Sequence, residues 1–213
     1  MSDALTVALE QEEKGFVTRL QNRDPAAFRA ALRRYHPAMV RLASAFVPSR
    51  SVAEEVAQET WLAVLEGLDR FEGRSSFRTW LFRILGNRAR TRGSRERRMV
   101  PLTSLEDDLD PAPAVEPQRF LASGRWATPP RDPRTATPEA LLIDAETRRA
   151  IEVSIEALPP SQRAVITLRD LEGLDAAEVC AILDLSEANQ RVILHRARAR
   201  VRTALEHELV RRS

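Results

Sequence analysis

A row of basic side chains near the carboxyl end of the chain has the spacing of one helix face. Its members recur at intervals of four, three and four residues: Arg191, His195, Arg198 and Arg202. Apolar residues of similar spacing define another face of the same helix: Leu194, Ala197, Val201 and Leu205. Residues three and four apart lie on one side of an α-helix. Arginine can donate two hydrogen bonds to a guanine edge, so this helix would suit a DNA major groove. A solvated basic surface has the same pattern, and the row alone does not decide between them.

The element before this row favours DNA binding. Helices are predicted over residues 176–183 and from 187 to about 209, and only Asp184, Leu185 and Ser186 separate them. Two helices joined by so short a turn, the second of them basic, are typical of a helix-turn-helix. Ser186 can cap the second helix. Asp184 stands where many such turns have glycine.

A second basic stretch lies in the first half of the chain. Ten arginines fall between Arg70 and Arg98, although the formal net charge of the whole chain is only +2. Much of this stretch is predicted to be a helix over residues 77–95, with an apolar side formed by Phe77, Trp80, Leu81, Ile84 and Leu85. Such local clusters of basic residues indicate nucleic-acid binding better than the net charge does.

The fold class is predicted to be all-α, with two small helical domains joined by a Pro-rich extended linker. Aromatic residues make up only 5% of the chain, there are seven glycines, and Ala, Leu, Arg and Glu are abundant, a composition typical of helices. Eight of the thirteen prolines lie between residues 99 and 138, and proline excludes regular helix. The predicted divisions are therefore a domain over 1–98, a linker over 99–138 and a domain over 139–213. The two domains are expected to be loosely coupled.

Caps and breakers predict where the other helices begin and end. Asp24 followed by Pro25 opens a helix in the first domain, and Ser51 can cap the next one. In the second domain, helices are predicted from Pro138 to about residue 157 and from 162 to 171, where Gly173 is a candidate C-cap.

Composition also excludes several classes of function. The single cysteine, Cys180, and three histidines predict neither a disulfide framework nor a metal site, and no cofactor is expected. The amino terminus has no signal-peptide pattern, and no apolar run could span a membrane, which predicts a cytoplasmic protein without membrane insertion. Glycine-rich phosphate loops and supported catalytic triads are also missing, so an enzyme is the least favoured class.

Four strings of sequence together resemble one family. DPAAFRAALRRYHPAMVRLASAFV, AEEVAQETWLAVLEGLDRF and SSFRTWLFRILGNRAR are similar to region two of extracytoplasmic-function (ECF) sigma factors. The string ALPPSQRAVITLRDLEGLDAAEVCAILDLSEANQRVILHRARARVR is similar to their region four. The resemblance implies a subunit that binds the β and β′ subunits of core RNA polymerase and directs promoter-specific initiation, while the polymerase performs the nucleotidyl transfer.

The resemblance also implies site residues in the first domain. Four positions match the part of the family that meets the β′ clamp helices: Glu55, Gln58, Glu59 and Trp61. Three match the surroundings of a base flipped out of the melted minus-ten strand: Phe71, Ile84 and Asn87. Five arginines could follow the phosphates of that strand: Arg74, Arg78, Arg83, Arg88 and Arg90. Trp80 is interpreted as a core residue instead.

In the second domain, four positions match residues used on the minus-thirty-five duplex: Arg169, Arg191, His195 and Arg196. We expect His195 and Arg196 to contact base edges and Arg169 and Arg191 to contact phosphates. Where the family often has Gly-Thr-Val after the helix cap, this chain has Ala188, Asn189 and Gln190, so promoter preference does not carry over from the family.

The resemblance extends to the linker and to regulation. The family's linker runs towards the polymerase active site, so the acids between Glu106 and Asp110 would lie on the path of nascent RNA, a solvated acidic tether being the alternative. Trp126 fits neither interpretation. An anti-sigma protein that covers both DNA faces is a further expected partner.

One rival interpretation competes with the sigma factor. A stand-alone helix-turn-helix regulator would bind an operator as a dimer without polymerase. It explains the second domain but gives the region-two strings no purpose.

Overall fold

The computed structural model describes residues 2–96 and 138–212, with side chains over 11–95 and 147–207. The acids of residues 106–110 and Trp126 lie outside these ranges, as does nearly all of the predicted linker. Every element within the described ranges is helical, which agrees with the predicted all-α class.

The described residues of the first half, 2–96, form four helices and a short 3₁₀ turn. The helices are α1 (Ser2–Gln21), α2 (Pro25–Ala43), α3 (Arg50–Gly67) and α4 (Phe77–Glu96), and the 3₁₀ turn is Leu68–Arg70. The predicted start of α2 is confirmed, because the Asp24 side chain accepts from the Ala26 amide at 2.8 Å and Pro25 takes the first helical position. The predicted cap of α3 is wrong by two residues: Ser49 accepts from the Val52 amide, and Ser51 already lies in the helix.

Helix α1 was missed by the sequence patterns, yet it stabilises the start of α4. It buries Val17 and Leu20 against the rest of the first half. Its Glu13 carboxylate accepts a hydrogen bond from the Phe77 amide at 2.7 Å. That amide is the first of α4 and has no partner within its own helix, and a carboxylate there also interacts favourably with the positive end of the helix dipole.

Residues 138–212, the part of the second half that the structure describes, also form four helices. They are α5 (Pro138–Glu156), α6 (Pro160–Ile166), α7 (Ala176–Leu183) and α8 (Glu187–Arg212), and a π-turn over Thr167–Leu171 continues α6. The helix predicted over 162–171 is thus a short α-helix followed by this π-turn, and Gly173 has the expected left-handed conformation with φ of 66°. Helices α5, α6 and α7 all pack on α8.

The two halves are packed on each other, so the expectation of loose coupling is wrong for this structure. Helix α7 lies against α4, and the π-turn approaches α2. Buried residues of both halves belong to one hydrophobic cluster. Proline content predicts where the chain divides, but it carries no information on whether the two parts touch.

Gly93 offers a direct test of the packing inside the first half. A Cβ added to Gly93 would lie 2.1 Å from the Phe46 carbonyl oxygen, whereas one added to Gly15 on α1 would meet nothing within 4 Å. We expect Gly93→Ala to destabilise the protein by about 1–3 kcal/mol through overpacking. Gly15→Ala should be neutral or stabilising by up to about 1 kcal/mol, because alanine is the better helix former.

Urea unfolding of both variants measures the difference. Equal stabilities for the two alanine variants would contradict the described approach of α4 to the segment that follows α2.

Candidate nucleic-acid and polymerase interfaces

Helix α4 separates an apolar face from a polar one. Its core side is at most 1% exposed at every position: Phe77, Leu81, Phe82, Leu85 and Ala89. Arg83, Asn87 and Arg88 are exposed, and Ile84 is half-buried. Positions 80, 83, 84 and 87 share one side of the helix by their spacing, so three of the predicted minus-ten residues, Arg83, Ile84 and Asn87, form a continuous strip with Trp80 beside the core.

An aromatic cluster borders this strip. The Phe71 ring lies 4.9 Å from the Trp80 ring and 6.2 Å from the Phe77 ring, centroid to centroid. Phe77 is buried, while Phe71 and Trp80 remain half-buried. Trp80 therefore packs on the core, as expected, and keeps part of its indole at the surface. Arg74 is exposed and lies 3.0 Å from the Glu72 carboxylate.

Two of the predicted phosphate contacts are engaged by the second half of the chain. Arg90 donates through one terminal nitrogen to the Leu183 carbonyl and through the other to Asn87 Oδ1, both at 2.6 Å. Burial lowers the pKa of Arg90, although nearby Asp184 opposes the shift. Arg78 donates to the Glu172 carbonyl at 3.2 Å. In this arrangement, neither guanidinium is fully available to a nucleic acid.

The acidic strip on α3 is linked to the arginines of α4. Glu55, Gln58 and Glu59 are exposed, as expected of a surface that meets a partner. Arg92 lies 3.0 Å from the Glu55 carboxylate and 3.5 Å from that of Glu59, which is itself 3.9 Å from Arg88. Two of the predicted polymerase contacts, Glu55 and Glu59, thus share an ion-pair network with one predicted DNA contact, Arg88. The sequence patterns did not single out Arg92, which joins them.

Trp61 differs from the other predicted polymerase contacts, because it is only 5% exposed. Its indole packs edge-on against Phe28, with ring centroids 5.6 Å apart. Its Nε1 donates to His36 Nδ1 at 3.3 Å. The indole therefore belongs to the core beneath the acidic strip, and the strip's exposed members are Glu55, Gln58 and Glu59.

Helix α8 has the two faces that its spacing predicts. Ile193, Leu194 and Ala197 are buried, whereas Arg191 and His195 are exposed. Arg196 is half-buried. At the start of the helix, the Ser186 hydroxyl accepts from the Asn189 amide at 3.3 Å, which satisfies one of the amides left without a helical partner.

The turn of the helix-turn-helix is built without glycine. Asp184 has φ of 58° and ψ of 51° at the end of α7, and aspartate tolerates this left-handed conformation better than most residues do. At the start of α7, Asp175 and Glu178 form a reciprocal capping box. The Asp-x-x-Glu spacing could have revealed that box from sequence.

Arg169 does not join the exposed basic residues of α8. It is half-buried in the π-turn and donates to the Leu174 carbonyl, and its buried Nε has no hydrogen-bond partner among the described residues. The adjacent Asp170 accepts two hydrogen bonds from Arg198, at 2.8 and 2.6 Å. These bonds raise the pKa of Arg198 and fasten the π-turn to α8.

Comparisons with known proteins match both halves. The family model for Sigma-70 region 2 covers residues 31–99, and the model for Sigma-70 region 4 covers residues 148–201. The two helical halves therefore define a protein of the sigma-70 class, with region 2 followed by region 4. No helix among the described residues is long and apolar enough to cross a membrane.

Comparison with individual relatives identifies the subfamily. The chain is 33% identical over 212 residues to the ECF RNA polymerase sigma-E factors of Escherichia coli K12 and Salmonella typhimurium LT2, covering 100% of each chain. It is 29% identical to the sigma-E factor of Haemophilus influenzae, over 94% of this chain and 98% of that one. The chain therefore belongs to the ECF sigma factors of the sigma-70 family. As such it acts with RNA polymerase on promoter DNA and regulates the start of transcription.

Two solved structures share the fold. CnrH in complex with the cytosolic domain of CnrY is 22% identical, with a TM-score of 0.53 over 92% of this chain and 97% of that chain. The sigma factor RpoE of Bartonella quintana, in complex with the anti-sigma factor NepR, is 21% identical, with a TM-score of 0.53 over 84% of this chain and 96% of that chain.

Because Trp61 is buried, we expect its replacement to lower the stability of the protein rather than to remove a direct contact with polymerase. Trp61→Phe removes the donor to His36 and part of the packing on Phe28, and should cost about 1–2 kcal/mol in the free energy of unfolding. Gln58→Ala on the exposed side of the same helix should stay within about 0.5 kcal/mol of the parent protein. Thermal unfolding of both variants provides the measurement. A Trp61→Phe variant of unchanged stability that binds polymerase poorly would show instead that the indole is a direct contact.

Proposed function

We propose that the two halves divide promoter recognition between them: the first captures the melted non-template strand of the minus-ten element, and the second reads the minus-thirty-five duplex. The proposal rests on the outer side of α4. It presents Arg83, Asn87 and Arg88 to solvent within a half that matches sigma-70 region 2. These exposed amide and guanidinium groups, supported by a folded core, form a surface to which a single strand can bind.

The α4 surface has the chemistry needed to hold an unpaired base. Phe71 and Ile84 supply apolar walls, and the amide of Asn87 can both donate to and accept from a base edge. Around them, the exposed guanidinium groups of Arg74, Arg83 and Arg88 can follow the phosphates. Stacking and phosphate contacts together are the usual means by which proteins hold single strands.

On the duplex side, α8 is proposed to enter the major groove. Arg191 and His195 are exposed on one side of a helix whose opposite side is buried, and Arg196 is proposed to contact a base edge with His195. The free amides at the capped start of α8 favour a phosphate. Arg169 would reach a phosphate only by leaving the Leu174 carbonyl, so its contribution is proposed to require a rearrangement of the π-turn.

The polymerase contacts are assigned to both halves. The exposed acids Glu55 and Glu59, with Gln58 between them, are proposed to bind the β′ clamp helices, while the second half sits on the β flap. Ion pairs to Arg88 and Arg92 hold these acids on one side of α3. This orders the surface before polymerase arrives, and ordering in advance lowers the entropic cost of binding.

An anti-sigma protein is a further proposed partner. The RpoE structure of similar fold contains one, the anti-sigma factor NepR. A protein that covers the α4 and α8 surfaces of this chain would block strand capture and duplex reading together.

Run-off transcription tests the proposed division. Purified core polymerase, this chain and a pool of bacterial promoter fragments should give discrete transcripts that depend on the chain. Asn87→Ala and Arg196→Ala should each lower the yield by about 5- to 30-fold, corresponding to a lost base contact of about 1–2 kcal/mol.

Asn22→Ala and Arg148→Ala are the matched controls, because both residues are exposed and neither lies on a proposed interface. Transcript yields that do not distinguish these controls from Asn87→Ala and Arg196→Ala would contradict the proposed surfaces. Failure to bind core polymerase, together with tight duplex binding by the chain alone, would favour an operator-binding regulator.

A further inference from the structure

The exposed side of α8 carries an apolar residue among its basic ones. Val192 is 43% exposed, and among the side chains that the structure describes it is the large exposed apolar residue of this helix. The others, Leu62, Val153 and Leu171, lie on different elements. Valine is a weaker helix former than alanine or arginine, so helix formation does not account for its presence. An apolar contact with a partner would account for it.

Val192 lies in the middle of the face that is proposed to enter the major groove. Ala188, Arg191, Val192 and His195 have the spacing of one helix face, and all four are exposed. All four also lie near the start of α8, which begins at Glu187. In helix-turn-helix proteins, the amino-terminal residues of the second helix are those that contact base edges. Val192 is therefore placed among residues that can reach the bases.

The spacing along α8 is close to the spacing of base pairs. Each residue rises about 1.5 Å along a helix, so His195 lies about 4.5 Å beyond Val192 and Ala188 about 6 Å before it. Successive base pairs are about 3.4 Å apart. A contact of His195 with one base edge thus leaves Val192 opposite a neighbouring pair. The single methyl group of Ala188 lets the helix approach the groove closely.

The major groove offers a valine one apolar group to contact. Thymine presents its C5-methyl group there, whereas the distinguishing groups of the other bases are hydrogen-bond donors and acceptors. A valine in a helix is held in one preferred rotamer, so it loses little freedom on contact. Val192 has no polar atom in its side chain. A base amino group placed against it would therefore lose water without gaining a hydrogen bond.

We propose that Val192 reads a thymine of the minus-thirty-five duplex through its C5-methyl group, while Arg191 and His195 supply polar contacts beside it. The proposal rests on the proposed entry of α8 into the major groove. It deepens that function by naming the base pair that the helix prefers at one position. Burial of one methyl-sized group corresponds to a factor of about 3 to 5 in affinity.

Deoxyuridine in place of thymine tests the contact, because it removes the C5-methyl group and keeps the O4 acceptor. A promoter fragment obtained by run-off transcription is titrated with holoenzyme assembled from core polymerase and the full chain. Each thymine on either strand of its minus-thirty-five element is replaced in turn. We expect one of these replacements to raise the half-saturating concentration of holoenzyme about 3- to 5-fold.

The Val192→Ser variant should lose this sensitivity. Serine lacks both methyl groups and has a helix propensity close to that of valine, so thymine and deoxyuridine fragments should bind the variant holoenzyme equally. Val153→Ser is the matched control, because Val153 is an exposed valine on α5, outside the face proposed to enter the groove. The control should keep the full difference between the two fragments.

Three results would overturn the thymine contact. They are a minus-thirty-five element without thymine, deoxyuridine replacements that have no effect on the parent holoenzyme, and a sensitivity that persists in Val192→Ser. Failure of the proposed function is recognised separately. In that case, scrambling the whole minus-thirty-five element would leave binding of the parent holoenzyme unchanged.

Discussion

The burial of one side of α4 is the interaction on which the rest of the molecule depends. Five apolar residues of this helix are at most 1% exposed, and burial of a large apolar side chain contributes about 1.5–3 kcal/mol. That packing fixes the rotation of α4 about its axis. This fixed rotation keeps Arg83, Asn87 and Arg88 at the surface and places Gly86 and Arg90 against the second half.

The same helix links three surfaces of this sigma factor. Arg88 and Arg92 pair with the acids of α3, Asn87 and Ile84 lie in the strip proposed for the minus-ten strand, and Arg90 reaches the end of α7. These residues occupy successive turns of one helix, so the packing of α4 sets the positions of all three surfaces together.

Much of the fold follows from local sequence chemistry. Strong caps such as Asp24 with Pro25 define helix starts, and proline density marks the division between the halves. Helix α1 was missed because its contribution depends on tertiary contacts, above all the bond from Glu13 to the start of α4. The π-turn was missed because Arg169 and Asp170 look like ordinary surface residues until α8 is packed against them.

The positions of the predicted site residues also divide into those set by local spacing and those set by tertiary contacts. Spacing placed Arg191 and His195 on an exposed face of α8, since helix periodicity alone sets that direction, whereas Asn87 was predicted from the family resemblance. Spacing could not show that Trp61 packs on Phe28. It also could not show that Arg78 and Arg90 meet the second half, because contacts between distant segments leave no periodic pattern in either one.

A distance measurement between the halves tests whether they separate when the factor binds polymerase and promoter DNA. Spin labels at Ser51→Cys on α3 and Val153→Cys on α5, in a Cys180→Ser background, occupy exposed positions away from the contact. Pulsed electron paramagnetic resonance should give one short distance in the free protein and a distance longer by roughly 40 Å or more in the complex with polymerase and promoter, as the separation of the two elements requires. The same distance in both states would contradict the proposed division of promoter recognition between the two halves.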